Sequence, residues 1–158
     1  MGPSASEEIL ASFEKEHAIV LPPAFREFLL HVGNGGAGPP AYGLLRLGEV
    51  PTDMPPDQAA IWRDLPIVTQ PFPFTRTWVW EDGDTSPEGN EEQVEHGSIC
   101  LGNDGCAMYW HLVVTGPERG NVWLLTGEGI QPTTPRRDFL RWYEDWLDGR
   151  TNWWADPE

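Results

Sequence analysis

The stretch LPPAFREFLLHVGNGG, residues 21–36, contains a complete helix with its start and stop signals. The fixed φ of proline suits the first turn of a helix, so Pro22 and Pro23 predict a start there. Four apolar residues recur at spacings of three and four: Phe25, Phe28, Leu29 and Val32. Such spacing places them on one buried face. Asn34 and the glycines around it accept the left-handed conformation that ends helices, so a short core-packed helix is predicted.

Similar patterns predict one helix before this segment and one near the end of the chain. The first begins after Ser4 or Ser6, whose side chain can cap free N–H groups, and fades near His17. Its apolar face carries Ile9, Leu10 and Phe13. The last helix begins with Thr134 as its cap and Pro135 in its first position. Its buried stripe is formed by Phe139, Trp142, Tyr143, Trp146 and Leu147.

The middle of the chain predicts mostly short strands. Extended segments are indicated at residues 42–47, 77–81, 98–101, 106–114 and 121–126. Asn103-Asp104-Gly105 lies between the third and fourth of these and is a typical hairpin turn. A short helix is expected around residues 57–62.

This order of elements predicts an α+β fold. It gives a mostly antiparallel central sheet, with an N-terminal helix pair and a C-terminal helix packed on one face. Residues 1–150 are expected to form a single domain, because a chain of this length can bury one sizeable core. Residues 151–158 are expected to form a short tail.

The composition excludes several classes of function. The chain has 25 acidic and 10 basic residues, a formal net charge of -15, which disfavours direct binding of nucleic acid. No apolar run approaches the roughly 20 residues that span a bilayer, so no membrane segment is expected. The two cysteines cannot build a disulfide framework, and the first residues lack a signal-peptide pattern. We therefore expect a cytoplasmic protein without a cofactor.

A metal site is the main enzymatic alternative. His96, Cys100, Cys106 and His111 are all zinc-ligand types, and they would serve a metal-dependent hydrolase. Their spacing matches no recognised zinc motif, and the competing interpretation makes the cysteines small core residues and the histidines surface residues. Ser98 and the cysteines carry no sequence signal that ties them to a general base.

Nine tryptophans are the most unusual feature of the composition. Four of them fall in predicted strands: Trp78, Trp80, Trp110 and Trp123. Burial in the core is the favoured interpretation for each one alone, because large apolar residues mostly bury. Any that face outward would form a binding surface for a protein or, as a weaker idea, a sugar.

The ordered set of motifs resembles the SUKH superfamily. Residues 21–29 followed by Asn34-Gly35-Gly36 resemble its N-terminal signature, and residues 42–47 continue the pattern. Residues 99–105 resemble its strand–turn–strand element, residues 120–123 the next strand, and residues 139–147 the closing helix. The resemblance extends from about Ile9 to Leu147. Ala107 departs from the pattern, because a second glycine is expected there.

The resemblance implies an α+β fold and a non-enzymatic role in binding a partner. The superfamily includes bacterial immunity proteins, which neutralise nuclease or deaminase toxin domains in polymorphic toxin systems, and a fungal regulator of cell-wall synthesis. An intracellular regulatory scaffold is therefore the alternative. The shared residues are expected to be structural, not catalytic: Leu21, Pro22, Asn34, Gly35, Gly36, Gly102, Gly105, Trp123 and Trp142.

An acidic segment is the candidate partner-binding site. Residues 81–95 contain seven acids and no Lys or Arg: Glu81, Asp82, Asp84, Glu88, Glu91, Glu92 and Glu95. Such a loop could occupy the basic substrate groove of a toxin as a phosphate mimic, with Trp78 or Trp80 as an apolar anchor. A solvated hairpin tip explains the same sequence equally well.

Overall fold

The structure, a computed structural model, describes residues 1–62, 68–80 and 93–151. This part contains four helices and five strands. The helices are α1 (Glu7–His17), α2 (Pro23–His31), α3 (Pro56–Trp62) and α4 (Phe139–Leu147). The strands are β1 (Trp78–Val79), β2 (Ser98–Asn103), β3 (Tyr109–Val113), β4 (Val122–Thr126) and β5 (Gly129–Pro132). None of the described helices is long and apolar enough to cross a bilayer.

The five strands form one antiparallel sheet in the order β1-β5-β4-β3-β2. The long hairpin of β2 and β3 closes at the predicted turn, and a register shift lies between Cys100 and Gly102. The predicted α+β class with an antiparallel central sheet is confirmed.

Helices α1, α2 and α4 cover one face of the sheet, which we call the helix face. Leu10 of α1, Phe25 of α2 and Trp142 of α4 belong to one apolar cluster with Trp110 and Leu112 of β3. All five are at most 4% exposed. The shared burial of these side chains holds the three helices on the sheet, because each buried large apolar side chain contributes about 1.5–3 kcal/mol. The predicted packing of the N-terminal and C-terminal helices on one face is confirmed.

The opposite face of the sheet is also covered. Phe72 and Phe74, from the extended chain before β1, pack with Trp78, Trp123 and other residues in a second apolar cluster. The ring of Phe72 lies 4.9 Å from the ring of Trp123 in an edge-to-face arrangement. A third, smaller cluster joins α3 to the loop before it. The proline-punctuated chain thus closes the side that the three main helices leave open.

The structure selects one of the two predicted caps of α1 and moves the start of α4. The cap of α1 is Ser6, which accepts a hydrogen bond from the Ile9 N–H at 3.2 Å. Helix α4 begins four residues later than predicted, because Asp138 accepts from the Arg141 N–H at 2.8 Å and acts as the cap in place of Thr134.

Two predictions of strand structure were wrong. Residues 42–47 form only an isolated bridge between Leu44 and Gly36, since Gly43 has a left-handed φ of 82° that breaks the extended run. Strand β5 was not predicted, because its four residues GIQP carry no alternating apolar pattern.

Three residues placed on buried helix faces are exposed instead. Ile9 is 53% exposed, Val32 51% and Leu147 63%. Each lies near a helix end or at the margin of the apolar stripe, where a neighbouring element no longer covers it. Their helices are nevertheless held by the inner residues of the same stripes.

Candidate functional site

Most of the predicted acidic partner site lies outside the described residues. This applies to Glu81, Asp82, Asp84, Glu88, Glu91 and Glu92. Three members of the predicted set are described: Trp78, Trp80 and Glu95. Trp78 is 4% exposed and belongs to the second apolar cluster, whereas Trp80 is half-buried.

Trp80 lines a cavity of about 630 Å³, which we call the Trp80 cavity. Its aromatic wall is formed by Trp62, Trp80 and Tyr109. The ring of Trp80 stands edge-on to the ring of Trp78 at 4.7 Å, so the buried tryptophan supports the half-buried one. Ala107, which replaces the glycine expected from the family pattern, has a left-handed φ of 58° and also lines this cavity.

Glu95 lies between the Trp80 cavity and a second cavity, and it lines both. Its Oε1 accepts a hydrogen bond from the Gln58 side chain of α3 at 2.6 Å. The carboxylate is therefore held by α3 and is not a freely moving surface charge. It is the one predicted acidic residue within the described part of the chain, and it lines two cavities.

The second cavity has a volume of about 440 Å³ and lies beside β2; we call it the β2 cavity. Its polar lining consists of Glu16, His17, Glu49, Glu95, Ser98, Cys100 and His111. Its apolar lining includes Phe13, Leu47, Val50, Trp62, Val68 and Ile99. Among the described residues, three carboxylates and no Lys or Arg line this cavity.

A buried serine–histidine pair belongs to the wall of the β2 cavity. Ser98 Oγ lies 3.0 Å from His111 Nδ1, and the two residues are 5% and 2% exposed. Burial lowers the pKa of His111 to about 3, so its imidazole is uncharged at neutral pH. This pair was not predicted from the sequence. The signal was present, because Cys100 pairs with His111 across the hairpin and Ser98 is two residues away on the same face.

Three lining residues of the β2 cavity have a buried polar atom without a hydrogen-bond partner. The atoms are His17 Nδ1, Trp62 Nε1 and His111 Nε2. Burial lowers the pKa of His17, and the nearby Glu16 opposes this shift only in part. Buried polar groups without a hydrogen bond cost about 1–3 kcal/mol each, so these three atoms, which the described residues leave unpaired, make the cavity a candidate binding site.

The Ser98–His111 pair does not have the arrangement of an activated serine nucleophile. Such a nucleophile needs a histidine whose second nitrogen is oriented by a third group. Within the described residues, no group binds the second nitrogen of His111, Nε2. Trp62 packs edge-on against the imidazole at 4.6 Å, which fixes the ring without orienting a proton.

The alternative metal ligands do not come together. Cys106 is exposed with a φ of 51° at the hairpin turn, whereas Cys100 and His111 line the β2 cavity. The Cys100 thiol lies 3.7 Å from the carbonyl of Gly102, and burial raises its pKa. No three His, Cys, Asp or Glu residues in the described part are placed to hold a metal ion. The interpretation of both histidines as surface residues was wrong for His111.

The N-terminal family-like motif makes structural contacts. Asn34 Oδ1 accepts from the Leu47 N–H at 2.8 Å. Gly36 has a φ of 109°, and a Cβ there would lie 2.7 Å from the Gly2 nitrogen. Leu21 is fully buried. Their contacts connect α2 to the N-terminus and to the loop that follows it.

The hairpin motif is also structural, and its turn contains a contact that the sequence did not reveal. Asp104 Oδ1 accepts from the Ala41 N–H and Oδ2 from the Trp110 indole, both at 2.6 Å. A Cβ on Gly102 would lie 2.6 Å from the carbonyl of Gly43. The hairpin turn is thereby fixed against the loop after α2. Trp123 and Trp142, the remaining motif residues, are fully buried.

Comparison with known proteins agrees with this architecture. The chain matches the sequence model of the SMI1 / KNR4 family (SUKH-1) over residues 4–147. No curated protein and no solved structure matches it. The match spans α1 to α4 and includes both cavities. The chain therefore belongs to the SMI1 / KNR4 family (SUKH-1), a family of immunity-type and regulator-type domains whose members are generally non-enzymatic binding proteins.

Proposed function

We propose that this protein is a cytoplasmic immunity protein that binds and neutralises a basic toxin domain of nuclease or deaminase type. Membership of the SUKH-1 family supports a binding role. The observation that carries the proposal is the acidic surplus of the chain, a net charge of -15. A partner with a basic groove would be attracted over distance and would associate faster.

The basic side chains are too few to cancel this surplus. At least five of the ten form ion pairs with carboxylates of the same chain: Arg26, Arg136, Arg137, Arg141 and Arg150. Some of these pairs connect structural elements, as when Arg26 of α2 binds Glu7 and Glu14 of α1. Such pairing leaves the net charge of -15 unchanged, so the acidic surplus remains for a partner.

The interface of the proposal combines the acidic segment 81–95 with the Trp80 cavity. Trp80 is the residue directly before that segment, and Glu95 is its last acid. Both line the cavity, which offers an aromatic pocket next to negative charge. Binding hot spots commonly pair such an aromatic pocket with surrounding polar groups.

The experiment isolates the partner with the tagged protein from the cells that produce it. Bound proteins are eluted with rising salt and identified by mass, and the purified partner is assayed for toxin activity. We expect a basic partner that leaves only at high salt and loses its nuclease or deaminase activity when the chain is added. A neutral, salt-insensitive cellular partner without toxin activity would contradict the proposal and favour a regulatory adaptor of the same family.

Charge reversal then tests the acidic segment. The triple variant Glu88→Lys, Glu91→Lys and Glu92→Lys should weaken binding at least tenfold at low salt, through a slower association rate. The matched control is Glu8→Lys, Glu27→Lys and Glu144→Lys, which makes the same change of charge on exposed helix positions. Unchanged affinity in the first variant, or equal losses in both, would rule out this segment as the interface.

A further inference from the structure

We infer that the β2 cavity is a receptor for one arginine side chain of the partner protein. The identity of the partner rests on the proposed function, whereas the chemistry of the cavity does not. Charge complementarity selects the occupant: Glu16, Glu49 and Glu95 line the cavity, and none of the described lining residues is Lys or Arg.

The carboxylates differ in how firmly they are held. Glu16 and Glu49 are exposed, so they can turn toward an incoming group at the mouth. Glu95 is half-buried and already accepts a hydrogen bond from Gln58. A guanidinium that enters between them exchanges water for charge-assisted hydrogen bonds, which are the stronger kind.

The deeper wall of the cavity supplies a second, independent observation. His111 is 2% exposed, and its Nε2 has no hydrogen-bond partner. When Nδ1 donates its proton to Ser98 Oγ, Nε2 carries a lone pair and accepts from an N–H donor. His17 offers Nδ1 in the same way. A hydrogen bond from a bound ligand would satisfy these two nitrogen atoms, which the described residues leave unpaired.

Arginine fits this lining better than lysine or a neutral ligand. Its guanidinium presents five donors in a planar fork, so it can reach a carboxylate and an imidazole nitrogen together. Its aliphatic stem suits the apolar wall of Phe13, Val50 and Ile99, and its planar group packs favourably on Trp62. The unpaired Trp62 N–H requires an acceptor, which a backbone carbonyl of the same partner segment provides.

The cavity is tested directly with a small probe. N-acetyl-L-arginine amide is titrated into the full chain, and the indole N–H of Trp62 and the imidazole of His111 are followed by ¹⁵N NMR. N-acetyl-L-citrulline amide, which has the same shape without the charge, is the matched probe. We expect saturable shifts at both residues with the arginine probe and at least fivefold weaker binding of citrulline. Equal affinity for the two probes, or shifts elsewhere only, would overturn the inference.

A pair of variants tests the carboxylates. Glu16→Gln with Glu49→Gln should weaken binding of the arginine probe at least fivefold, while the thermal midpoint stays within about 2 °C of the parent chain. The control is Glu8→Gln with Glu144→Gln, which removes the same charge from exposed positions outside the cavity. Retention of probe affinity in the first variant, or equal loss in both, would contradict the assignment.

The inference and the proposed function fail in different ways. If the cavity variant binds and neutralises a toxin partner as tightly as the parent chain, the cavity is not the receptor and the immunity role stands. If the arginine probe binds as expected but the isolated partner has no toxin activity, the receptor stands and the immunity role fails. A loss of partner affinity of about tenfold in the cavity variant alone would support both.

Discussion

The helix face of the sheet is closed by an apolar cluster, whereas the opposite face combines a second apolar cluster with a buried polar pair, Ser98 and His111. On the helix face, Trp110, Leu112 and Leu124 pack directly on helices and are at most 2% exposed. On the opposite face, the neighbouring position His111 contributes a buried imidazole with one unpaired nitrogen. Strand β3 therefore places apolar side chains on the helix face and a polar side chain on the opposite face.

This difference indicates which face of the sheet stabilises the fold and which face lowers its stability. Close apolar packing on the helix face stabilises the fold, while the buried imidazole of His111 on the other face costs free energy. Binding surfaces are a common location for such costs, because the unpaired groups are satisfied by a ligand. Substitutions made on one face of the sheet at a time test this contrast.

The largest effect is expected on the helix face. Phe139 is 1% exposed, and its ring contacts Phe25 at 4.7 Å and Phe28 at 4.9 Å. Phe139→Ala should lower the free energy of unfolding by about 3–5 kcal/mol, because it leaves a cavity among rigid aromatic rings. Leu140→Ala on the exposed side of α4 is the control and should cost less than about 1 kcal/mol. Urea unfolding measures both, and similar losses would contradict the comparison.

A buried ion pair at α4 should be nearly as sensitive. The Arg137–Asp145 pair has a 2.6 Å distance, and its side chains are 10% and 3% exposed. Asp145→Ala leaves the buried guanidinium without its carboxylate and should cost about 3–5 kcal/mol. Asp148→Ala breaks the exposed pair with Arg150 and should cost less than about 1 kcal/mol. Equal losses in thermal or urea unfolding would show that burial does not set the value of these pairs.

The buried imidazole of His111 on the opposite face should make the free energy of unfolding depend on pH. The unfolded chain protonates His111 near its ordinary pKa of about 6.5, whereas the folded chain keeps it neutral down to about 3. Between these values the unfolded state binds more protons, so stability is complete above pH 6.5 and falls as pH is lowered toward 3. The expected loss approaches about 1.4 kcal/mol per pH unit in this window.

The variant His111→Gln should remove this part of the pH dependence between pH 6.5 and 5. The control is Leu140→Ala, an exposed position without a titratable group, which should leave the slope unchanged. Urea unfolding at several pH values gives the slopes. The same slope in His111→Gln and the parent chain would show that the buried imidazole is not the group responsible.

The smallest effect concerns the start of α1 and separates two candidates that the sequence left open. Ser6→Ala removes the hydrogen bond to the Ile9 N–H and should cost about 1 kcal/mol. Ser4→Ala should change the free energy of unfolding by less than about 0.5 kcal/mol, because Ser4 is exposed and lies before the cap. A larger effect at Ser4 than at Ser6 would make Ser4 the cap of α1.

Much of the helix face could be predicted from the sequence, because its signals are local. Phe25, Phe28 and Leu29 repeat at helical spacing, and the turn Asn103-Asp104-Gly105 defines a hairpin. These patterns depend on backbone geometry within a few residues. They were sufficient for the fold class, the order of the elements and the family resemblance. Short elements such as β5 were not predicted, because four residues are too few to show an alternating apolar pattern.

The candidate site could not be predicted in the same way. The sequence directed attention to a run of acids, of which Glu95 is the member that the structure describes, and it lines the β2 cavity. Glu16, Glu49 and His111 come from α1, from a loop and from β3, and no local pattern connects them. The diagonal neighbours Ser98 and His111 could have been found from the hairpin alone, but their burial could not.

The sequence by itself determined the α+β class, the antiparallel hairpin, the acidic surplus and the family, since composition and short-range periodicity are properties of the chain. Only the tertiary structure decided that Trp78 is buried, that Asp104 fixes the hairpin turn, and that three carboxylates meet two unpaired imidazole nitrogens at the β2 cavity. The physical reason is that burial and charge proximity depend on which distant segments pack together, and long-range packing leaves no repeating signature in the sequence.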